Sequence, residues 1–195
     1  MRRRVEIIEK KREYDDFFRL DRVTLRYERF DGHLSSPITR LLFERGDSVA
    51  VLLYDEEADA VMLVQQFRYP AYVNDGPGWL WEIVAGMCEG EDDASVVAQR
   101  ELLEEAGYAV ERLEHIMTFY PSPGGSSERM YLYLGFTRLD HKVADGGGVA
   151  GDEEDILVKW FDWKEAQRML RDGEIPDAKT IIALQYLAIR KAGQL

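Results

Sequence analysis

The stretch Gly86–Tyr108, GMCEGEDDASVVAQRELLEEAGY, constrains the chain more than any other. It carries seven carboxylates, Glu89, Glu91, Asp92, Asp93, Glu101, Glu104 and Glu105, against a single base, Arg100. Asp92 or Asp93 can cap a helix, the run to Ala106 is a fair helix former, and Gly107 ends it. Ala94, Ala98, Leu102 and Ala106 recur at spacing four, so the helix offers one apolar stripe to a core. Glu101 and Glu105 are also four apart and lie beside that stripe. Like charges at this spacing repel by about 0.2–0.5 kcal/mol when exposed, and by more when partly buried. A solvated acidic face accounts for most charge runs. Here the carboxylates converge at the edge of a core, where a divalent cation would offset their repulsion. Oxygen-only ligands select magnesium or manganese over zinc.

The flanking sequence supplies a sheet for that helix. Ser48–Tyr54 and Ala60–Gln66 are strongly apolar runs joined by the acidic turn Asp55–Asp59, and they read as central strands. Trp79–Val84, Leu113–Phe119, Met130–Phe136 and Ile156–Phe161 are further strands. Ala71–Gly78 reads as a loop, and Thr137–Asp155 as a long flexible one containing Gly146-Gly147-Gly148. Asp162 is placed to cap a helix over Trp163–Arg171, and a last helix spans Ala178–Ala192. Strands mixed with helices in this order predict an α/β fold, a mixed sheet between helix layers. At the N-terminus, Val5–Ile8, Phe17–Leu20, Val23–Phe30 and Ile38–Phe43 have strand character, with a turn at Asp31-Gly32. Residues 1–45 hold too few apolar side chains for a core of their own, so they are expected to pack on the main domain, 46–195, or on a second subunit.

A chain of 195 residues with net charge −12 disfavours non-specific binding to nucleic acid or anionic membrane. Cys88 is its single cysteine, so no intrachain disulfide forms and a reducing compartment is expected. No apolar run is long enough to span a membrane, and Met1–Arg4 leads into charged sequence, so a cytoplasmic protein is expected. His33, His115 and His141 show no ligand spacing.

The acidic stretch resembles the Nudix box, G-x5-E-x7-R-E-U-x-E-E-x-G-U with U a large aliphatic residue. Gly86, Arg100, Glu101, Leu102, Glu104, Glu105 and Gly107 fall on the pattern. Asp92 stands where the first glutamate is expected, and Tyr108 replaces the final aliphatic. That glutamate braces loop and helix in the family, so the change at Asp92 bears on loop geometry more than on catalysis. The whole chain is similar to the branch that hydrolyses ADP-ribose and nucleoside diphosphate sugars. The resemblance implies an α/β/α sandwich preceded by a small β segment that is exchanged between the subunits of a homodimer.

It also implies a set of site residues. Glu101 and Glu105 are the principal metal ligands, with Glu104 as a third ligand or a partner to one, and the Ala85 carbonyl just before the box glycine. In GVAGDEEDI, Glu154 matches the branch's loop ligand and Asp152 its general base. Glu153 is adjacent and longer, and as a glutamate it is the chemically preferred base, so both stay open. Arg68 matches an arginine that contacts substrate phosphate, a role that suits bidentate guanidinium geometry. Glu82 is expected near the nucleobase or terminal ribose. Trp79 and Trp81 are core residues or base-stacking ones, with at least one expected in the core. Tyr120–Arg129, YPSPGGSSER, resembles the branch's substrate loop, in which Ser126, Ser127 and Glu128 would meet sugar hydroxyls. Arg100 can pair with Glu104 as a brace or serve in catalysis. The expected activity is magnesium-dependent hydrolysis of ADP-ribose to AMP and ribose 5-phosphate. GDP-mannose or a broad range of nucleoside diphosphate sugars is the alternative. A non-catalytic nucleotide-binding module would show broken box carboxylates, and these are intact.

Overall fold

The computed structural model describes residues 3–88, 93–148 and 155–194. The chain divides into two compact units, Met1–Asp47 with Tyr120–Arg129, and Ser48–Phe119 with Met130–Leu195.

The first unit is a three-stranded antiparallel sheet of β1 (Val5–Asp15), β2 (Arg19–Tyr27) and β3 (Ile38–Glu44), in that order. The runs Phe17–Leu20 and Val23–Phe30, expected as two strands, contribute to one, because Arg19–Tyr27 pairs with both neighbours without a break on the β3 side. Of the sheet's apolar side chains only Val23 is buried, while Val5, Ile7, Ile8, Tyr27 and Leu41 are exposed. Its one fully buried carboxylate, Asp21, is held by Arg12 and Lys10. The loop 120–129 joins this unit: Phe43 N–H donates to Gly125 O (2.7 Å), Ser127 N–H donates to Phe43 O (3.3 Å), and Arg129 pairs with Asp47.

The second unit is a seven-stranded mixed sheet built on β4 (Ser48–Asp55). Next come β5 (Ala60–Phe67), β6 (Trp79–Glu82), β7 (Val84–Met87), β8 (Arg112–Phe119), β9 (Met130–Phe136) and β10 (Leu157–Asp162). The main order is β10-β5-β4-β9-β8, with β6 on β5 and β7 on β4, and β4–β9 is the parallel pair. Alternation along β4 assigns the layers. Ala50, Leu52 and Tyr54 pack with Ala166 and Met169 of one helix (Trp163–Arg171) and Ala183, Leu184 and Leu187 of another (Ala178–Lys191). Val49, Val51 and Leu53 pack with Val97, Ala98, Leu102 and Ala106 of the acidic segment. Helices thus cover both faces, which is why β4 is buried along its whole length. In chain order the helices are α1 (Tyr69–Tyr72), α2 (Ala94–Glu101), α3 (Trp163–Arg171) and α4 (Ala178–Lys191). None of them is long and apolar enough to cross a membrane.

Four local expectations change. Trp79–Val84 is not one strand: at Ile83 the N–H leaves the ladder and donates to Thr180 Oγ1 (2.9 Å), separating β6 from β7. The stretch read as loop from Ala71 begins inside the one-turn helix α1, which Pro70 starts. Asp162 sits at the start of α3 but its side chain makes no capping bond, whereas Asp177 caps α4 by accepting from Thr180 N–H (3.1 Å). Part of the 137–155 loop is also tied down rather than free. Val143, Ala144, Gly147 and Gly148 all donate backbone hydrogen bonds to the end of the acidic helix.

Candidate active site

The acidic helix starts at Asp93, whose carboxylate caps it by accepting from Ser95 N–H (2.8 Å). It stays α-helical to Glu101, then widens into a π-helical turn over Leu102–Ala106 and ends at Gly107 with φ +77°. Ala98, Leu102 and Ala106 are fully buried, as the spacing of four requires. The sequence spacing shows a single helix here; the π-turn has no signature in it.

The widened turn carries Glu104 and Glu105, and Glu101 is the last residue of α2. Glu105 is 8% exposed. The Glu101 carboxylate lies directly on Gly86 of β7: a Cβ at Gly86 would fall 2.0 Å from Glu101 Cδ. A side chain at the box glycine would therefore displace the Glu101 carboxylate from this position, and the φ of Gly86 is not of the left-handed kind. Arg100 Nη2 donates to Glu101 (3.1 Å) and its Nε is 3.9 Å from Glu104, so the brace reaches Glu101 more closely than Glu104. Ala85 is on the same strand as Gly86, paired across to Ala50 of β4.

Arg68 follows β5 and forms a two-pronged pair with Glu82 of β6, at 2.8 Å from Nε and 3.2 Å from Nη2. Glu82 is 3% exposed and also accepts from Lys179 of α4, which in turn bonds Asp177 (3.0 Å). Burial alone would raise the Glu82 carboxyl, but Lys179 and Arg68 outweigh it and hold it below the ordinary glutamate value. Burial likewise works against the Arg68 charge, yet Glu82 dominates, with Glu105 and Asp177 adding to it, and its pKa is raised. Arg68 is thus within electrostatic reach of Glu105 while its side chain remains 40% exposed. Glu82 is an anchor for two cations here.

Trp81 packs against the core, edge-on to Phe161 at 5.0 Å, whereas Trp79 is 56% exposed with its ring 4.9 Å from Phe67. In the first unit, Glu128 is buried against Arg45 (3.5 Å) and its N–H donates to Ser126 Oγ (3.1 Å). Asp152, Glu153 and Glu154 lie outside the described residues. Lys179 is the partner that sequence reasoning missed. A lysine in the first turn of a helix opposes the helix dipole, and that misplacement was the available signal.

Among the described residues no three His, Cys, Asp or Glu side chains are gathered in metal-ligating geometry. The donor chemistry nonetheless fits a hard divalent cation: Glu101 and Glu105 flank the junction of α2 and the π-turn, and every donor is oxygen.

The carboxylates of Glu101 and Glu105 thus stand four residues apart at the end of the acidic helix. The NUDIX domain model matches residues 44–184, and the chain belongs to the Nudix family of hydrolases. Membership implies a divalent-metal-dependent mechanism. The chain is 39% identical over 186 residues to the ADP-ribose pyrophosphatase of Escherichia coli strain K12, covering 95% of this chain and 88% of that one. It is 36% identical to the GDP-mannose pyrophosphatase of Cronobacter sakazakii, covering 95% and 96%. A solved structure of an ADP compounds hydrolase superposes with TM-score 0.71 over 98% of this chain and 97% of that one, at 16% identity, a likeness of fold.

Proposed function

We infer that the chain hydrolyses ADP-ribose to AMP and ribose 5-phosphate with magnesium, manganese being a substitute. The observation that carries the reading is the pair Glu101 and Glu105 at the end of the acidic helix, with the Glu101 carboxylate seated on Gly86. The likeness to ADP-ribose pyrophosphatases over nearly the whole chain supports the substrate.

Glu101 and Glu105 would hold the cation, joined by Glu104 and the Ala85 carbonyl. When bound, it neutralises pyrophosphate charge and lowers the pKa of a water. Gly86 leaves room for the Glu101 carboxylate, and Arg100 holds that carboxylate in direction. Glu82 takes up Nε and one terminal nitrogen of Arg68, which leaves the rest of the guanidinium for a phosphate oxygen. Asp152 and Glu153 remain the proposed bases, Glu154 a further ligand, and Ser126, Ser127 and Glu128 the proposed contacts to sugar hydroxyls.

GDP-mannose is the second reading, supported by 36% identity over a similar span. A pyrophosphate clamp does not distinguish the two, so discrimination falls to base and sugar contacts. ADP-ribose, GDP-mannose, UDP-glucose and NADH assayed in parallel at one magnesium concentration decide between them. ADP-ribose should have the highest kcat/KM, with measurable turnover of at least one other sugar nucleotide. GDP-mannose ahead by more than about tenfold, roughly 1.4 kcal/mol in transition-state binding, would reverse the ranking and leave the reaction type standing.

A further inference from the structure

The end of the acidic helix is closed by a segment almost forty residues further along the chain. A helix leaves its last carbonyls without intrahelical partners, and a π-turn adds to the demand because its bonds reach one residue further than those of an α-helix. Here Gly147 N–H donates to Glu105 O (2.7 Å) and Gly148 N–H to Glu104 O (3.2 Å). Val143 and Ala144 N–H both donate to Gly107 O, at 2.8 and 3.1 Å. Two carbonyls so capped belong to residues of the metal-facing set.

The seat requires glycine on both sides. A Cβ on Gly107 would fall 2.2 Å from Ala144 O, and a Cβ on Gly146 would fall 2.5 Å from Ala106 C and 2.8 Å from Gly107 N. These are backbone atoms of the turn and of the segment seated on it, so no side chain can swing aside to make room. Gly173, in the turn after α3, is the natural contrast: its φ is +76°, against +66° at Gly146, yet a Cβ there meets nothing within 4 Å.

We propose that Gly146 is a positioning residue for Glu104 and Glu105: its bare Cα lets the backbone of 143–148 seat on the π-turn, and that seat fixes the direction in which both carboxylates leave the helix. Fixing the carbonyl of a residue fixes its ψ, and the next residues of the turn follow. In an unsupported end the turn would relax toward α-helical pitch, and the relation of Glu105 to Glu101 across the junction would change. The inference rests on the reading of Glu105 as a metal ligand. It assigns a role to a glycine outside the box motif.

The test compares wild type with Gly146→Ala and Gly173→Ala by calorimetric titration of Mn2+ into protein without nucleotide. Both variants place a Cβ on a residue of positive φ, but only the first meets backbone. Gly146→Ala should weaken Mn2+ binding about 10–100-fold, the range seen when groups that orient metal ligands are removed, while Gly173→Ala leaves it unchanged. The kcat for ADP-ribose should fall with Mn2+ affinity in Gly146→Ala while KM holds, and the Gly147 and Gly148 amides should exchange faster with solvent. Equal Mn2+ binding by wild type and Gly146→Ala overturns the positioning role and leaves the enzyme reading intact. Absence of Mn2+ binding by wild type overturns the reading beneath it. Should Gly146→Ala lose its cooperative melt, Gly146→Asn takes its place, since Asn tolerates the left-handed region. Failure of both to fold makes the contact a purely structural one and contradicts the proposal.

Discussion

Glu105→Gln is expected to lower kcat by at least about a hundredfold at saturating magnesium, because loss of one preorganised electrostatic group at a reacting centre costs roughly 2.7–4 kcal/mol. The substitution keeps volume and removes charge. Glu105 is buried beside the fully buried Leu102 and Ala106, so its amide form should pack in the same place. A melting temperature close to wild type would accompany the loss and separate it from unfolding. Turnover near wild type, with magnesium saturating, would remove Glu105 from the site.

Glu82→Gln should act on stability as well as on substrate binding. The wild-type carboxylate accepts from Arg68 and Lys179 and is almost fully buried. Breaking a buried pair by removing one partner costs about 3–5 kcal/mol, and two facts reduce that here. Arg68 retains access to water, and Lys179 keeps Asp177. A loss of about 2–3 kcal/mol follows, or roughly 4–12 °C in Tm for a chain of this size. The pH dependence has a definite sign. The folded carboxyl is held below its unfolded value, so its contribution is full above about pH 4.3 and is lost as pH falls through the folded pKa. The gap in stability between wild type and Glu82→Gln should therefore be widest near neutrality and close in acid. A gap that persists unchanged well below pH 4 would assign the effect to packing instead.

The comparison of sequence with structure separates local from distant causes. The layers around β4 were legible because Ser48–Tyr54 is apolar at every second position on both faces, which only a doubly covered strand allows. The box helix was legible from a stripe at spacing four and a glycine stop, both properties of a few adjacent residues. What escaped depends on partners far along the chain. The break at Ile83 is made by Thr180, and the role of Glu82 by Lys179, each 97 residues away. The π-turn at Leu102–Ala106 takes its caps from Gly147 and Gly148, so glycines that read as a source of mobility prove to be a fitted contact. Tyr108 departs from the box pattern and is accommodated by tertiary contacts: it packs in the core, accepts from Trp160 Nε1 (3.0 Å) and donates to Leu139 O (3.0 Å). Those partners are 52 and 31 residues away, and a single sequence does not display them.

The central claim is a metal-assisted cleavage of the pyrophosphate bond in ADP-ribose. Phosphorus NMR of ADP-ribose incubated with the protein reads that bond directly. With magnesium present, the two pyrophosphate resonances should disappear together and be replaced by AMP and ribose 5-phosphate in equal amounts, and excess chelator should stop the conversion. Intact ADP-ribose in the presence of magnesium, or conversion undiminished by chelator, would contradict the account.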